Sequence, residues 1–508
     1  MSETSRRTFV KQCLAAAAAW QAGRAISLAS PGKSIAFELE VLGKVKRRRA
    51  SSIAASKLSV GFETLDREMF DPRPTYRMLA ELGVKWARVQ TGWSRTERTK
   101  GKYDFAWLDE VVDSLMAAGV QPWFSVSYGN QFYSPDAPDV SAVGWAPLAT
   151  EEARQAWTSY VSALAEHFGG RVKHWEIWNE PNIRKFWLPG PSDPKAYVEL
   201  VALTAPLVRQ QVAEAVIIGG ALAGIPLDYV EGCMDAGLGE HVDKISYHPY
   251  RAVPEADYDE ELSALGKLLD RYKPGLGLWQ GECGCPSEPG SSGALGGFHW
   301  SEPAQAKWLL RRILTDLRLE VELTSYFHTV DLVNYNWGLG PSGKTNFKGL
   351  LRGTDYSPKP SFFTYQCLAA LFDGETKRAE LDVSIEVPED GDPLLAEDLV
   401  QQAGFVRQGR AIFAYWLPAS LLADFETRKI GISIAAEGEA ELNDPVLIDP
   451  LTQEVLAIPA EESEGVWKFG SVPLVEYPLI LTDRAIALPE TETPEVEAEA
   501  TEEKAAEA

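Results

Sequence analysis

Two glutamates stand where short apolar runs stop, in surroundings that suit proton transfer and attack on carbon. The first lies in His174-Trp175-Glu176-Ile177-Trp178-Asn179-Glu180-Pro181-Asn182, an apolar stretch broken abruptly by Asn-Glu-Pro. The second lies in Leu278-Trp279-Gln280-Gly281-Glu282-Cys283-Gly284, again with the carboxylate ending the run. Two carboxyls flanking one acetal carbon can divide its cleavage between them. One protonates the departing oxygen, and the other acts as base or nucleophile on the opposite side. Glu180 and Glu282 are therefore the candidate catalytic pair, while His174 and Trp175 read as structural. Metal chemistry finds little support: the six histidines show no paired spacing, and Cys283-Gly284-Cys285 lacks two further ligands nearby. No metal and no cofactor is expected, and the cysteines read as small buried thiols.

Such a pair works only if a scaffold brings two distant strand ends together. From about residue 58 to 372 one unit recurs: an apolar run, a loop, an amphipathic helix, a Gly or Pro, and another apolar run. Leu108, Val111, Val112, Leu115 and Met116 follow the stripe of a helix packed on one side. Gly119 ends that helix, and Pro122-Trp123-Phe124-Ser125-Val126 reads as a buried strand. Strands are expected at 59–64, 86–91, 122–127, 172–179, 216–221, 244–247, 276–280 and 323–328, with helices between them. Eight alternating units predict an α/β fold, a (β/α)8 TIM barrel whose chemistry sits at the C-terminal ends of the strands. An open doubly wound sheet would carry a Gly-rich phosphate loop after its first strand, and Gly61-Phe62-Glu63 is not one. After Gly374 helical periodicity gives way to short strands, among them Ala411-Ile412-Phe413-Ala414-Tyr415-Trp416, which predicts a C-terminal antiparallel β-sandwich.

With Trp178-Asn179-Glu180-Pro181 at the end of a fourth strand, Glu282 ending a seventh and His248-Pro249-Tyr250 ending a sixth, the chain resembles the clan A retaining glycoside hydrolases. The barrel with a trailing sandwich looks nearest to family 39, whose members include β-xylosidases and α-L-iduronidases. Families 5, 30 and 51 are close rivals. The resemblance implies Glu180 as acid/base, Glu282 as nucleophile and Asn179 as the residue that holds the sugar 2-hydroxyl. It further implies that Arg88, ending the second strand, keeps the nucleophile ionised, that Tyr250 hydrogen-bonds it and that His248 supports the site. Two departures bear on the sugar. Family 5 usually has a His at the end of strand three, where this chain has Ser127-Tyr128-Gly129-Asn130, so Asn130 is a candidate there. Many members end strand eight with a Trp platform, where this chain has Tyr326-Phe327-His328, and Trp337 in the following loop is the candidate substitute. Trp93 and Trp300 are further candidates for stacking on sugar faces.

The ends of the chain address location and assembly. Ser5-Arg6-Arg7-Thr8-Phe9-Val10-Lys11, followed by an Ala-rich stretch and Ser27-Leu28-Ala29, resembles a twin-arginine export signal over 1–29, so the export machinery is an expected partner and the periplasm or exterior the expected location. Residues 30–56 read as a strand and linker, 57–373 as the barrel, 374–485 as the sandwich and 486–508 as an acidic tail without a core. Within the linker, Ile35, Phe37, Leu39 and Val41 alternate with polar residues. They predict a strand that joins the C-terminal sheet, with 44–55 passing over the surface to the barrel. The balance of 49 Lys+Arg against 73 Asp+Glu, a net charge of −24, argues against nucleic acid and an anionic membrane surface as partners and leaves an oligo- or polysaccharide substrate open. The residues alone leave three readings: an exo-acting β-glycosidase, β-xylosidase-like; an endo-acting β-glucanase or mannanase; and an inactive barrel that only binds polysaccharide. The last would be marked by loss of one carboxylate, and both are present.

Overall fold

The computed structural model describes residues 37–335, 343–388, 397–435 and 440–489. The export-like segment, Ile35, Trp337 and residues 490–508 lie outside the described residues, while Arg484–Ala487 form a short helix with Ile486 and Ala487 buried, so the folded chain extends past the predicted boundary at 485. Eight parallel strands close into a barrel, each pairing with the next and the last with the first: Leu58–Gly61, Trp86–Gln90, Gln121–Val126, His174–Ile177, Val216–Ala223, Lys244–His248, Gly277–Cys283 and Leu323–Tyr326. All eight predicted strands are found, with ends displaced by up to three residues. Trp123, Ile218, Trp279 and Leu323 form a separate apolar cluster of buried residues from the third, fifth, seventh and eighth strands. They are one layer of barrel filling, with branched and aromatic side chains closing the axis. Arg88, Glu176, Ser246 and Gln280 are also fully buried, so the barrel carries a polar, charged set besides its apolar one.

Two antiparallel sheets follow. One has seven strands, in the order Val41–Lys44, Glu454–Ala457, Pro445–Asp449, Leu479–Asp483, Arg410–Trp416, Gln401–Arg407 and Lys377–Arg378. The other has four: Asp382–Glu386, Arg428–Ala435, Val466–Leu474 and Glu461–Ser463. The pre-barrel chain thus adds an edge strand to the C-terminal sheet, but later than the alternation predicts. Val41 pairs with Leu456, and Glu40 accepts the last bond, from the Ala457 amide. Further pairing would reach Pro459, which has no N–H to give. A bulge between Val41 and Gly43 leaves Val41 52% exposed, so it does not share a face with Leu39.

The linker is tied to the barrel at a few points. Val45, Ala50 and Ile53 are buried, and the Lys85 ammonium donates to the Ala50 carbonyl oxygen at 2.8 Å. Gly83 and Gly119, both at positive φ, end the helices before the second and third strands, and a Cβ on either would lie under 3 Å from the linker backbone. Residues 44–55 thus run over the surface as predicted, with most side chains exposed, and are anchored to the barrel by Val45, Ala50 and Ile53. Barrel and sandwich are joined by Arg311, which donates to both Glu255 carboxylate oxygens (2.8 and 2.5 Å) and to the Ala419 carbonyl oxygen (2.6 Å). Trp416 of the sandwich donates to the same carboxylate at 2.7 Å.

Candidate active site

The fourth strand ends at Ile177, two residues short of the prediction, and the reason is visible in the backbone. Trp178 and Glu180 both have positive φ, at 72° and 47°. Regular alternation would send Asn179 and Glu180 to opposite faces. Two left-handed residues around Asn179 break the alternation, and both side chains line the same cavity. The turn is pinned by neighbouring strands: the Trp178 amide donates to Val126 O (3.1 Å), the Glu180 amide to Ala221 O (2.7 Å), and the Asn182 side chain exchanges two bonds of 2.9 Å with the Ala223 backbone. Trp178 itself turns into a buried aromatic group with Tyr128, Trp157 and Trp187.

The seventh strand is bulged as well, its register shifting between Gln280 and Cys283 around Glu282. A Cβ on Gly281 would stand 2.6 Å from Ser246 Oγ, so only glycine lets the bulge settle into the barrel.

Arg88 organises what lies between these ends. It sits in the middle of the second strand, not at its end as predicted, and is wholly buried. Its Nε donates to Glu176 Oε2 (2.8 Å); Nη2 donates to the same oxygen (2.5 Å) and to Asn179 Oδ1 (2.9 Å). Nη1 donates to Glu282 Oε2 (2.8 Å) and Glu63 Oε1 (3.1 Å). All five N–H donors are used, in the planar fork that only Arg supplies. Because Oδ1 of Asn179 faces the guanidinium, its amide N–H2 is left for the cavity. Tyr250 donates its hydroxyl to Glu282 Oε1 at 2.9 Å, so each oxygen of Glu282 has a donor.

Glu180 meets a different environment. Its Oε1 lies 3.0 Å from His248 Nδ1. Burial pushes the Glu180 carboxyl up to about 7, against the opposing pull of Arg88 and Lys185. Burial likewise pushes His248 down to about 4, so the imidazole is neutral and donates Nδ1–H to an ionised Glu180 or accepts from a protonated one. One oxygen of Glu180, one of Glu282 and a His248 nitrogen lie within 4.8 Å of one another. Three such donors could hold a cation, but the Arg88 guanidinium already supplies positive charge at Glu282.

These groups line a cavity of about 490 Å³, large enough for a sugar ring with its substituents. Of the predicted residues, Glu180, Glu282, Asn179, His248 and Tyr250 meet there, with Arg88 behind them. Asn130 does not join them: its Oδ1 accepts the Phe132 amide and its Nδ2 donates toward the Glu97 carbonyl oxygen, capping a turn. Trp93 and Trp300 are buried in the protein, Trp93 between Tyr133 and Tyr160. The aromatic walls are instead Tyr128, Phe186, Tyr250, Phe327 and Tyr335. Glu63, Glu176 and Lys348 were not singled out from the sequence. The available signal was a charged residue inside or just after an apolar run, which must be paired if buried.

Comparison with known proteins gives the same direction. The sequence pattern of the glycosyl hydrolases family 39 matches residues 83–267. A β-xylosidase from Geobacillus stearothermophilus is 27% identical over 191 residues, covering 34% of this chain and 36% of the relative. A β-xylosidase from Caldicellulosiruptor saccharolyticus is 24% identical over 339 residues, covering 59% of this chain and 65% of the relative. The match thus spans about a third of the length of the first and just under two thirds of the second. Among solved structures, a family 39 glycoside hydrolase from Bacteroides cellulosilyticus WH2 has the same fold, with a TM-score of 0.63 at 22% identity over 84% of this chain and 80% of that one. A monomeric β-xylosidase from Caulobacter crescentus CB15 superposes with a TM-score of 0.57 at 16% identity over 87% of this chain and 98% of that one. Over residues 83–267 the chain thus matches the pattern of the glycosyl hydrolases family 39, and its barrel with trailing sheets has the fold of solved family 39 proteins.

Proposed function

We propose that the chain is a retaining glycoside hydrolase, β-xylosidase-like and exo-acting, with Glu282 as nucleophile and Glu180 as acid/base. The observation that carries this reading is the placement of the two carboxyls, with oxygens within 4.8 Å across one cavity. Retention needs about 5 Å between the groups; inversion needs a wider gap that admits water. Glu282 attacks the anomeric carbon while Glu180 passes its proton to the departing oxygen, giving a glycosyl ester on Glu282. Ionised Glu180 then takes a proton from water, the water oxygen attacks the anomeric carbon, and Glu282 leaves as carboxylate. Arg88 and Tyr250 hold the attacking carboxylate in place. The N–H2 group of Asn179 reaches the 2-hydroxyl. The β-xylosidase-like choice is supported by what the two xylosidase relatives are named for. Export by the twin-arginine route belongs to the same proposal and rests on Ser5 to Lys11.

The test is covalent trapping. A panel of activated aryl β-glycosides identifies the sugar, and the 2-deoxy-2-fluoro analogue of the best one slows turnover of the ester. Peptide mass mapping should then find one glycosyl group on Glu282, and Glu282→Gln should neither label nor turn over. Label on another residue, or turnover by the Gln variant, would remove Glu282 from the role.

A further inference from the structure

The hydrolytic scheme leaves one carboxyl of the cavity unused. Glu63 follows the first barrel strand, is 1% exposed and lines the cavity beside Glu282. A single nitrogen, Arg88 Nη1, holds Glu63 Oε1 at 3.1 Å and Glu282 Oε2 at 2.8 Å. The other oxygen, Glu63 Oε2, is buried and has no hydrogen-bond partner. His328 Nε2 is 3.6 Å away from it, beyond hydrogen-bond range, and lies 3.2 Å from the Glu63 carbonyl oxygen. Burial pushes His328 down to about 4, so no ion pair forms across that gap.

The backbone makes room for this carboxyl. A Cβ on Gly61 would lie 2.4 Å from Glu63 Oε2, so glycine at 61 is what lets the side chain fold back into the barrel mouth. A buried carboxyl oxygen without a partner needs an explanation, and a ligand covered in hydroxyls supplies one. We infer that Glu63 is a specificity residue whose Oε2 hydrogen-bonds a ring hydroxyl of the sugar held at Glu282. A hydroxyl both donates and accepts, so it can bond either form of the carboxyl. Asn179 is assigned to the 2-hydroxyl, which leaves the 3- or 4-hydroxyl for Glu63. This inference rests on the glycosidase reading.

The experiment is a cycle between protein and substrate. The value of kcat/KM is measured for wild type, Glu63→Ala and Gly61→Ala on the best aryl glycoside and on its 3-deoxy and 4-deoxy analogues. Gly61→Ala keeps the carboxyl but displaces Oε2, the free end of a flexible side chain, so it should fold. On the parent sugar Glu63→Ala should lose about five- to a hundredfold, the range for leaving one buried polar partner unsatisfied. On one deoxy analogue most of that loss should vanish, and Gly61→Ala should show the same pattern in weaker form. Equal losses on all three substrates would mean that Glu63 only supports Arg88, and would overturn the inference. So would a wild type that turns over both deoxy analogues as well as the parent, a result that needs no variant. Failure to cleave any glycoside of the panel would defeat the hydrolase reading and this inference with it. Activity with equal losses would defeat this inference alone.

Discussion

Glu180 and Glu282 are the same side chain in two settings, and the settings divide the labour. Glu282 has a donor on each oxygen, from Arg88 and Tyr250, while Glu180 has a neutral imidazole and little else. Burial raises Glu180 to about 7, so kcat/KM for forming the glycosyl ester should fall as pH rises through 7. Glu180→Gln should lose that alkaline limb along with most of its turnover. The same shift has a stability side. A carboxyl whose folded value is raised is neutral in both states below its unfolded value of 4.5, and above about 7 the folded chain must carry it ionised at a cost. Relative to wild type, Glu180→Gln should be unchanged below pH 4.5 and more stable above pH 7, by on the order of 2–3 kcal/mol, as read from urea melts at the two pH values. Equal stability at pH 8 would show that the carboxyl is not held against ionisation. At this scale the sequence exposed residues that end strands, because a strand end in a barrel is a defined place. It did not expose Glu63 or Glu176, because whether a charged residue points into the barrel depends on register, which no single strand reveals.

The barrel strands were legible as apolar runs because a parallel strand covered on both faces has no polar side to show. Their ends were not, since they depend on which neighbour supplies the last hydrogen bond. The fourth strand is the instructive case. Regular alternation cannot bring Asn179 and Glu180 to one cavity, and the structure resolves this with left-handed backbone at Trp178 and Glu180. The turn holds an unfavourable backbone at two non-glycine residues, which persists only when its surroundings fix it. Asn182 is one of those supports, with two bonds to the Ala223 backbone. Asn182→Ala should therefore loosen the acid without touching substrate. The expected result is a fall in kcat of about tenfold with KM little changed, since misplacement of a reacting group by a fraction of an ångström has that scale of effect. A variant with wild-type kcat would show that the Trp178 and Glu180 amide bonds to Val126 and Ala221 fix the turn without Asn182. Asn130 is turned from the cavity for a related reason: an Asn beside a turn often bonds to nearby backbone, and here it accepts the Phe132 amide.

At the scale of the whole molecule the chain is closed on itself. Its first described strand is the edge of the sheet that follows the barrel, and the linker after it is anchored on the barrel by Val45, Ala50 and Ile53. The two-part architecture was legible from the change of period after Gly374, and the edge strand from alternation in 35–41. Its register was not, because the end of the ladder is set by Pro459, far away in sequence. The edge strand holds three paired positions against Glu454–Ala457, followed by the Val45 amide on Gln453 O at 2.9 Å, and Phe37, Leu39 and Leu42 pack half-buried on the core. Removing residues 1–44 would expose the Glu454–Ala457 edge and uncover the apolar surface beneath those three side chains. Three half-buried side chains are worth roughly 2–4 kcal/mol in apolar area alone. The truncated protein should melt at a lower temperature and aggregate more readily at high concentration, because an uncovered sheet edge pairs with other chains. Its kcat/KM at a temperature where it remains folded should equal that of the full chain, since Glu180, Glu282 and Arg88 are held by the barrel strands. Loss of activity in the folded truncation would mean that the sheet edge reaches the site through the barrel. An unchanged melting temperature would mean that the strand rests on the sheet without stabilising it.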